Sequence, residues 1–251
     1  MKLAISGKGG VGKTTFSSLL IRTLSDMGKK VLAIDADPDA NLAAALGIPD
    51  ADKIVPIADM KEMIFERTGA QPGGIGGFFR LNPKVDDLPD AVSVQKDNIK
   101  LMRLGCVKKG GGGCLCPEST LLKALVMHIV LARDEVVVMD MEAGIEHLGR
   151  ATAKAVDKLI VVVEPGRRSI DTAEHIRRLA AEIQLNQIYI VGNKVRGARD
   201  EEFLRQHLEG FNILGFLPYT DDLIEADLRG ASPYDVESAA KTQVREMIVR
   251  L

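Results

Sequence analysis

Residues 2–15, Lys-Leu-Ala-Ile-Ser-Gly-Lys-Gly-Gly-Val-Gly-Lys-Thr-Thr, decide how this chain is read. Gly7, Gly12, Lys13 and Thr14 satisfy the spacing G-x-x-x-x-G-K-[ST]. Leu3–Ser6 reads as a short buried strand and Thr14–Asp26 as a helix, so the glycines stand where a strand turns into a helix. Backbone N–H groups of such a turn, backed by the positive end of the helix dipole, form an anion site. The spacing assigns nucleotide contact to Gly9, Gly10, Val11, Gly12, Lys13, Thr14 and Thr15. Lys13 is expected to reach the β- and γ-phosphates of ATP, and the Thr14 hydroxyl to ligate Mg²⁺.

Working outward, apolar runs alternate with helical patterns for most of the chain. This predicts an α/β fold whose mostly parallel central sheet is covered by helices on both faces. The expected strands are Leu3–Ser6, Lys30–Ile34, Ile99–Leu104, Glu135–Met139, Lys158–Val163, Gln187–Val191 and Ile213–Phe216. The expected helices are Thr14–Asp26, Asp59–Arg67, Glu118–Ala132, Ser169–Gln184, Asp200–His207 and Val236–Val249. With 251 residues, 46% of them hydrophobic, the chain can build one substantial core. The expectation is one domain over residues 1–251, with an inserted loop near 105–117. Gln71–Gly77 and Gly110–Gly113 read as glycine-rich loops.

Composition narrows the function classes. A net charge of −2 gives no support for a nucleic-acid footprint, and the absence of Trp argues against a base-stacking platform. No apolar run has the length that spans a bilayer, so no stable membrane association is expected. The phosphate loop begins so early that no secretory signal is expected before it. Three cysteines, an odd number, argue against a disulfide framework and point to a reducing cytoplasm.

Carboxylates stand where a nucleotide site needs them. Asp35-Ala-Asp-Pro-Asp39 follows the second expected strand, and Pro38 turns the chain out of the sheet at its C-terminal edge. Glu135-Val-Val-Val-Met-Asp140 is an apolar strand ending in an acid, which assigns Asp140 to the Mg²⁺ shell. Cys114-Leu-Cys116, between the glycine run and Pro117, can turn two thiolates onto one soft ion. Two thiolates leave a four-ligand site half filled, and two copies of the chain would complete it across a two-fold axis. Cys106 reads as a packed thiol, and His147 as a loop histidine.

Lys8, ahead of the double glycine, makes the loop resemble the deviant Walker A element of the septum-site-determining, plasmid-partition and nitrogenase-iron-protein superfamily. That resemblance implies an ATP-sandwich homodimer in which Lys8 reaches the partner's nucleotide. It implies that Asp37 orients the attacking water and that Asp35 lies near Mg²⁺. Lys8, Lys13 and Asp37 thus become the expected catalytic residues. It also places Asn193 and Lys194, with Pro218 of Leu217-Pro-Tyr219, around the adenine base. Val138-Met-Asp-Met141, Ala143-Gly-Ile-Glu-His147, Lys108-Lys-Gly110 with Cys114-Leu-Cys116, and Asn193-Lys-Val-Arg196 resemble more narrowly the CooC-type nickel-insertion ATPases of carbon monoxide dehydrogenase. The sister family that matures acetyl-CoA synthase is also similar, and these motifs do not separate the two. The resemblance spans essentially the whole chain. It implies that Cys114 and Cys116 hold Ni²⁺ or Zn²⁺ between two subunits, and that the client is a nickel enzyme. Two rival readings are a partition or positioning ATPase acting on DNA or membrane, and an iron–sulfur scaffold or electron-transfer ATPase.

Overall fold

A computed structural model of the chain describes residues 1–70, 78–105, 116–132, 134–144 and 156–251. The expectations for Gln71–Gly77, Cys106, Lys108–Cys114 and Ile145–His147 lie outside the described residues. The described strands are β1 (Lys2–Ser6), β2 (Val31–Ala36), β3 (Val94–Lys96), β4 (Ile99–Arg103), β5 (Val136–Met141), β6 (Lys158–Val163), β7 (Ile188–Val195) and β8 (Asn212–Pro218). They form one sheet in the order β3-β4-β2-β5-β1-β6-β7-β8. Every pairing is parallel except the β3–β4 hairpin at the edge.

The described helices are α1 (Lys13–Asp26), α2 (Leu42–Ala45), α3 (Lys61–Thr68), α4 (Leu88–Ala91), α5 (Pro117–Ala132), α6 (Arg167–Glu182), α7 (Ala198–His207), α8 (Asp221–Leu228) and α9 (Ala239–Val249). Strand alternation splits the core into two layers, because successive side chains point to opposite faces. Leu3 and Ile5 of β1 join Phe16, Leu19 and Leu20 of α1 and Val244 of α9 on one face. Ala4 of β1 joins Leu121 and Leu125 of α5 and Ile170 and Ile176 of α6 on the other. Phe16, Leu19 and Leu20 are fully buried. Each contributes roughly 1.5–3 kcal/mol of transfer free energy.

Every strand expected from the sequence is present, Lys158–Val163 with the expected ends and the others with shifted ones, and the expected helices fall within a few residues of the observed ones. Three differences bear on the site. β2 continues through Asp35 to Ala36, and β5 continues through Asp140 to Met141, so both carboxylates belong to strands rather than to the loops after them. β7 runs on to Val195, which places Asn193 and Lys194 inside a strand that had been expected to stop at Val191. The last helix starts at Ala239 because Ser238 caps it, its hydroxyl accepting from the Ala240 N–H at 3.1 Å.

Candidate nucleotide site

The C-terminal edge of the sheet gathers the ends of β1, β2, β5, β6 and β7, and the expected site residues meet there. Gly7 leaves β1 with φ +147°, and a Cβ on it would stand 2.3 Å from the Val162 carbonyl oxygen. Gly12 caps α1 with φ +91°, and a Cβ there would stand 2.3 Å from Asn193 Nδ2. Only glycine fits these two positions. Gly12 offers no capping side chain, and no acid stands in the first turn of α1. The N–H groups that open the helix are thus left to an anion rather than to a side-chain cap. Lys13 is buried beside them, while Gly9 and Gly10 face solvent.

β7 braces this loop. The Asn193 amide donates to the Val11 carbonyl at 2.7 Å, and the Lys194 ammonium donates to the Gly10 carbonyl at 2.6 Å. A register shift between Gly192 and Val195 puts Lys194 at φ +57° and turns its side chain toward the loop. Lys194 also lies 3.5 Å from Glu164 Oε2, and Lys8 lies 3.5 Å from Glu164 Oε1. Pro218 pairs with Val195 at the end of β8. Just beyond it, the Arg196 guanidinium lies 4.7 Å above the Tyr219 ring. Asn193, Lys194 and Pro218 therefore share one corner, and the Asn193 amide nitrogen there serves the loop.

The acids form a row across the sheet. Arg103 of β4 is in register with Asp35 of β2, and Asp35 with Asp140 of β5. In-register residues of neighbouring parallel strands point to the same face, here the face of α1. Asp140 is fully buried and accepts a hydrogen bond from Ser17 Oγ at 2.9 Å, with the Thr14 hydroxyl near enough to favour its charged form. Its Oδ2 is buried without a partner among the described residues. Asp35 accepts from the Leu42 N–H at 3.0 Å and the Asp37 N–H at 3.3 Å.

Burial pushes Asp140 up to about 7, opposed by the Thr14 hydroxyl, with the neighbouring Asp35 raising it further. Burial likewise pushes Asp35 up to about 6, against the backbone hydrogen bonds that lower it. Two crowded acids with a vacant oxygen, a threonine hydroxyl and the phosphate loop beside them fit a hard divalent cation. Mg²⁺ takes such oxygen ligands and completes its shell with phosphate and water. Thr14, Asp140 and Asp35 are the residues that would hold it, directly or through water. When bound, the ion neutralises charge on the phosphates. Asp37 is half-buried at the exit of β2, its Oδ1 accepting from the Asp39 N–H at 3.0 Å.

Cys116 caps the start of α5: its carbonyl accepts from the Thr120 N–H at 3.0 Å and its sulfur from the Ser119 N–H at 3.4 Å. Because β4 ends and α5 begins at this edge, the segment carrying the cysteine pair leaves from the side of the sheet that carries the phosphate loop. Among the described residues no group of three or more His, Cys, Asp or Glu side chains could hold a metal ion.

Four residues escaped the sequence reading. Ser17 is one helical turn beyond Thr14, a phase that fixes it over Asp140. Ser6 ties β1 to the segment after β5, donating to the Gly144 carbonyl at 2.6 Å and accepting from the Gly144 N–H at 3.2 Å. Glu164 is the first residue after β6, and an acid directly after the apolar run Leu159–Val163 is the signal that marks it. Arg103 ends β4, where its charge lowers the pKa of Asp35.

Residues 2–234 match the CobQ/CobB/MinD/ParA nucleotide-binding domain family. The carbon monoxide dehydrogenase accessory protein CooC of Rhodospirillum rubrum is 44% identical over 253 aligned residues, covering 100% of this chain and 96% of that protein. An ATP-binding protein of Methanocaldococcus jannaschii is 43% identical over 250 residues, 98% of this chain and 96% of that one. Among solved structures, the MinC:MinD cell division complex of Aquifex aeolicus superposes with TM-score 0.68 at 21% identity, covering 99% of this chain and 93% of that chain. A plasmid partition protein of Borrelia burgdorferi bound to AMPPNP superposes with TM-score 0.69 at 16% identity, covering 98% and 96%. At those identities the two structures speak for the fold. Together with the phosphate loop and its facing acids, the comparisons make this chain an ATPase that belongs to the CobQ/CobB/MinD/ParA nucleotide-binding family, in its CooC-type branch.

Proposed function

We propose that this ATPase is a cytoplasmic maturation factor. It works as a homodimer, carries Ni²⁺ or Zn²⁺ between the Cys114–Cys116 pairs of two chains, and delivers nickel to carbon monoxide dehydrogenase or acetyl-CoA synthase. The observation that supports this most is the full-length likeness to the Rhodospirillum rubrum accessory protein. The siting of Cys116 at the sheet edge that carries the phosphate loop adds to it.

In this reading the loop N–H groups and Lys13 hold the phosphates of ATP, and Thr14 and Asp140 hold Mg²⁺. Asp37 orients the attacking water. Lys8 completes the partner's site, as the resemblance of the loop implies. The reaction is positioning and charge stabilisation, with no covalent intermediate. Closing the dimer around ATP changes the distance between the two cysteine pairs, and hydrolysis reverses the change.

The test is reconstitution. Nickel-free client enzyme is incubated with Ni²⁺, Mg-ATP and the purified chain. The expected result is a gain of client activity and of bound nickel that needs ATP. Asp37→Ala should keep nucleotide binding but lose the gain, whereas Lys13→Ala should lose binding itself. Equal activation by Asp37→Ala and wild type would remove the coupling to hydrolysis.

A membrane-positioning ATPase would want an apolar face of its C-terminal helix free for lipid, and in α9 that face is turned to the core. Val244 and Met247 are buried against the sheet, and Ile248 and Leu251 pack on the same core. Among the described residues no helix is long and apolar enough to cross a membrane.

A further inference from the structure

The phosphate loop carries two lysines that face different ways. Lys13 is buried at the start of α1, beside the nucleotide position. Lys8 turns toward the end of β6, where its ammonium lies 3.5 Å from Glu164 Oε1. Both partners are about a third exposed, with side-chain exposures of 36% and 28%. The second oxygen of the same carboxylate lies 3.5 Å from Lys194, which grips the Gly10 carbonyl at 2.6 Å. Glu164 is itself fixed, since its backbone N–H donates to Ser169 Oγ at 3.1 Å near the start of α6. One carboxylate thus receives the lysine before the double glycine and the lysine that braces the double glycine. Both lysines therefore meet the end of β6 at the same acid.

We infer that Glu164 is the positioning residue of Lys8: it parks that lysine on its own subunit and sets how readily Lys8 is released to a second copy of the chain. The inference rests on the proposed action of Lys8 in trans. A lysine held by its own chain cannot at the same moment reach a partner's phosphates, so every dimer that forms around ATP must open two such pairs. The pair is suited to that task. At 3.5 Å and partly solvated it is a weak contact, of the kind whose loss changes an equilibrium by up to about fivefold. It is strong enough to hold Lys8 off a partner without ATP, and weak enough to yield to a polyphosphate. After hydrolysis and loss of phosphate, the same carboxylate recovers the lysine and favours separation.

The experiment measures dimer formation by sedimentation with Mg²⁺ and a non-hydrolysable ATP analogue, for wild type, Glu164→Gln, Glu164→Asp, Lys8→Ala and the Lys8→Ala/Glu164→Gln double variant. Glu164→Gln removes the charge and keeps the shape. It should raise the dimer association constant about two- to twenty-five-fold, since two pairs each worth up to about fivefold no longer oppose closure. Glu164→Asp keeps the charge and should fall between Glu164→Gln and wild type. The gain should shrink with added salt, and it should vanish in the Lys8→Ala background. A residue that merely propped the loop would give the opposite sign, a weaker dimer on Glu164→Gln. Three results would overturn the inference: that weaker dimer, no change, or the same gain with Lys8 absent. If Lys8→Ala alone leaves the analogue-bound dimer intact, the trans action of Lys8 fails and the parking role with it. If Lys8→Ala weakens the dimer while Glu164→Gln does nothing, only the parking role fails.

Discussion

At the scale of single residues the most costly feature is Asp140. It is fully buried, one oxygen has no partner, and a second acid stands in register on the neighbouring strand. Both carboxylates are raised from 3.8, Asp140 to about 7 and Asp35 to about 6, mainly by burial. An acid whose pKa rises on folding binds its proton more tightly in the folded chain. Stability from these groups is therefore complete below about 4, the unfolded value, and is lost as pH rises through about 6 and 7. Without nucleotide and Mg²⁺ the protein should melt at a lower temperature at pH 8 than at pH 5, and Mg-ADP should flatten that slope. Asp140→Asn removes one buried charge while keeping a hydrogen-bond acceptor for Ser17. It should stabilise the metal-free protein at pH 8 by about 1–3 kcal/mol and abolish hydrolysis. Thermal unfolding in a chelator, with a phosphate-release assay beside it, checks both halves. A destabilised Asp140→Asn would mean that the carboxylate is already compensated without a cation.

At the scale of elements, the loop after β1 is held by β7 as much as by its own glycines. Asn193 was assigned to the adenine base by resemblance, yet its amide nitrogen donates to Val11 at 2.7 Å and sits where a Cβ on Gly12 would fall. Asn193→Ala removes a buried hydrogen bond, a loss of about 1–3 kcal/mol to the ordered loop. It should weaken binding of inorganic triphosphate, which has no base, by about the same five- to 150-fold factor as binding of ATP. Calorimetric titration of both ligands decides the point. A loss confined to ATP would return Asn193 to a purely base-binding role. This element also marks what the sequence could say. The strand–loop–helix around Gly7–Thr15 was legible because glycine spacing and apolar runs are local signals. The brace was not, because the contact between Asn193 and Val11 joins residues 182 positions apart and depends on a bulge with Lys194 in left-handed backbone. Asp35 and Asp140 were legible as acids after apolar runs. Their burial, and Ser17 over Asp140, required the side-by-side register of β2 and β5. The short α2 and α4 and the edge strand β3 carry too few residues for a period to emerge.

For the whole molecule, the proposed function requires the nucleotide site to act on a pair of cysteines. Arg103 ends β4 in register with Asp35, and the chain then runs through 106–115 to Cys116 at the head of α5. The nucleotide site and Cys116 are thus linked by a strand that faces Asp35 and by a helix packed on the opposite layer of core. Each chain offers only Cys114 and Cys116 in the C-x-C pattern, so a four-sulfur site needs two chains. Titration of reduced, anaerobic protein with Ni²⁺ or Zn²⁺ should therefore saturate at one metal per two chains and shift the mass from monomer to dimer. Cys114→Ser and Cys116→Ser should each lose the metal and the metal-driven dimer, because a hydroxyl is a poor donor to a soft ion. Cys106→Ser should retain both. Affinity should fall as pH falls, since thiols must lose protons to ligate. One metal per chain with no change of mass would refute the shared site even if ATP turnover behaved as argued. A brown protein, with visible absorption after anaerobic purification, would instead favour the iron–sulfur reading.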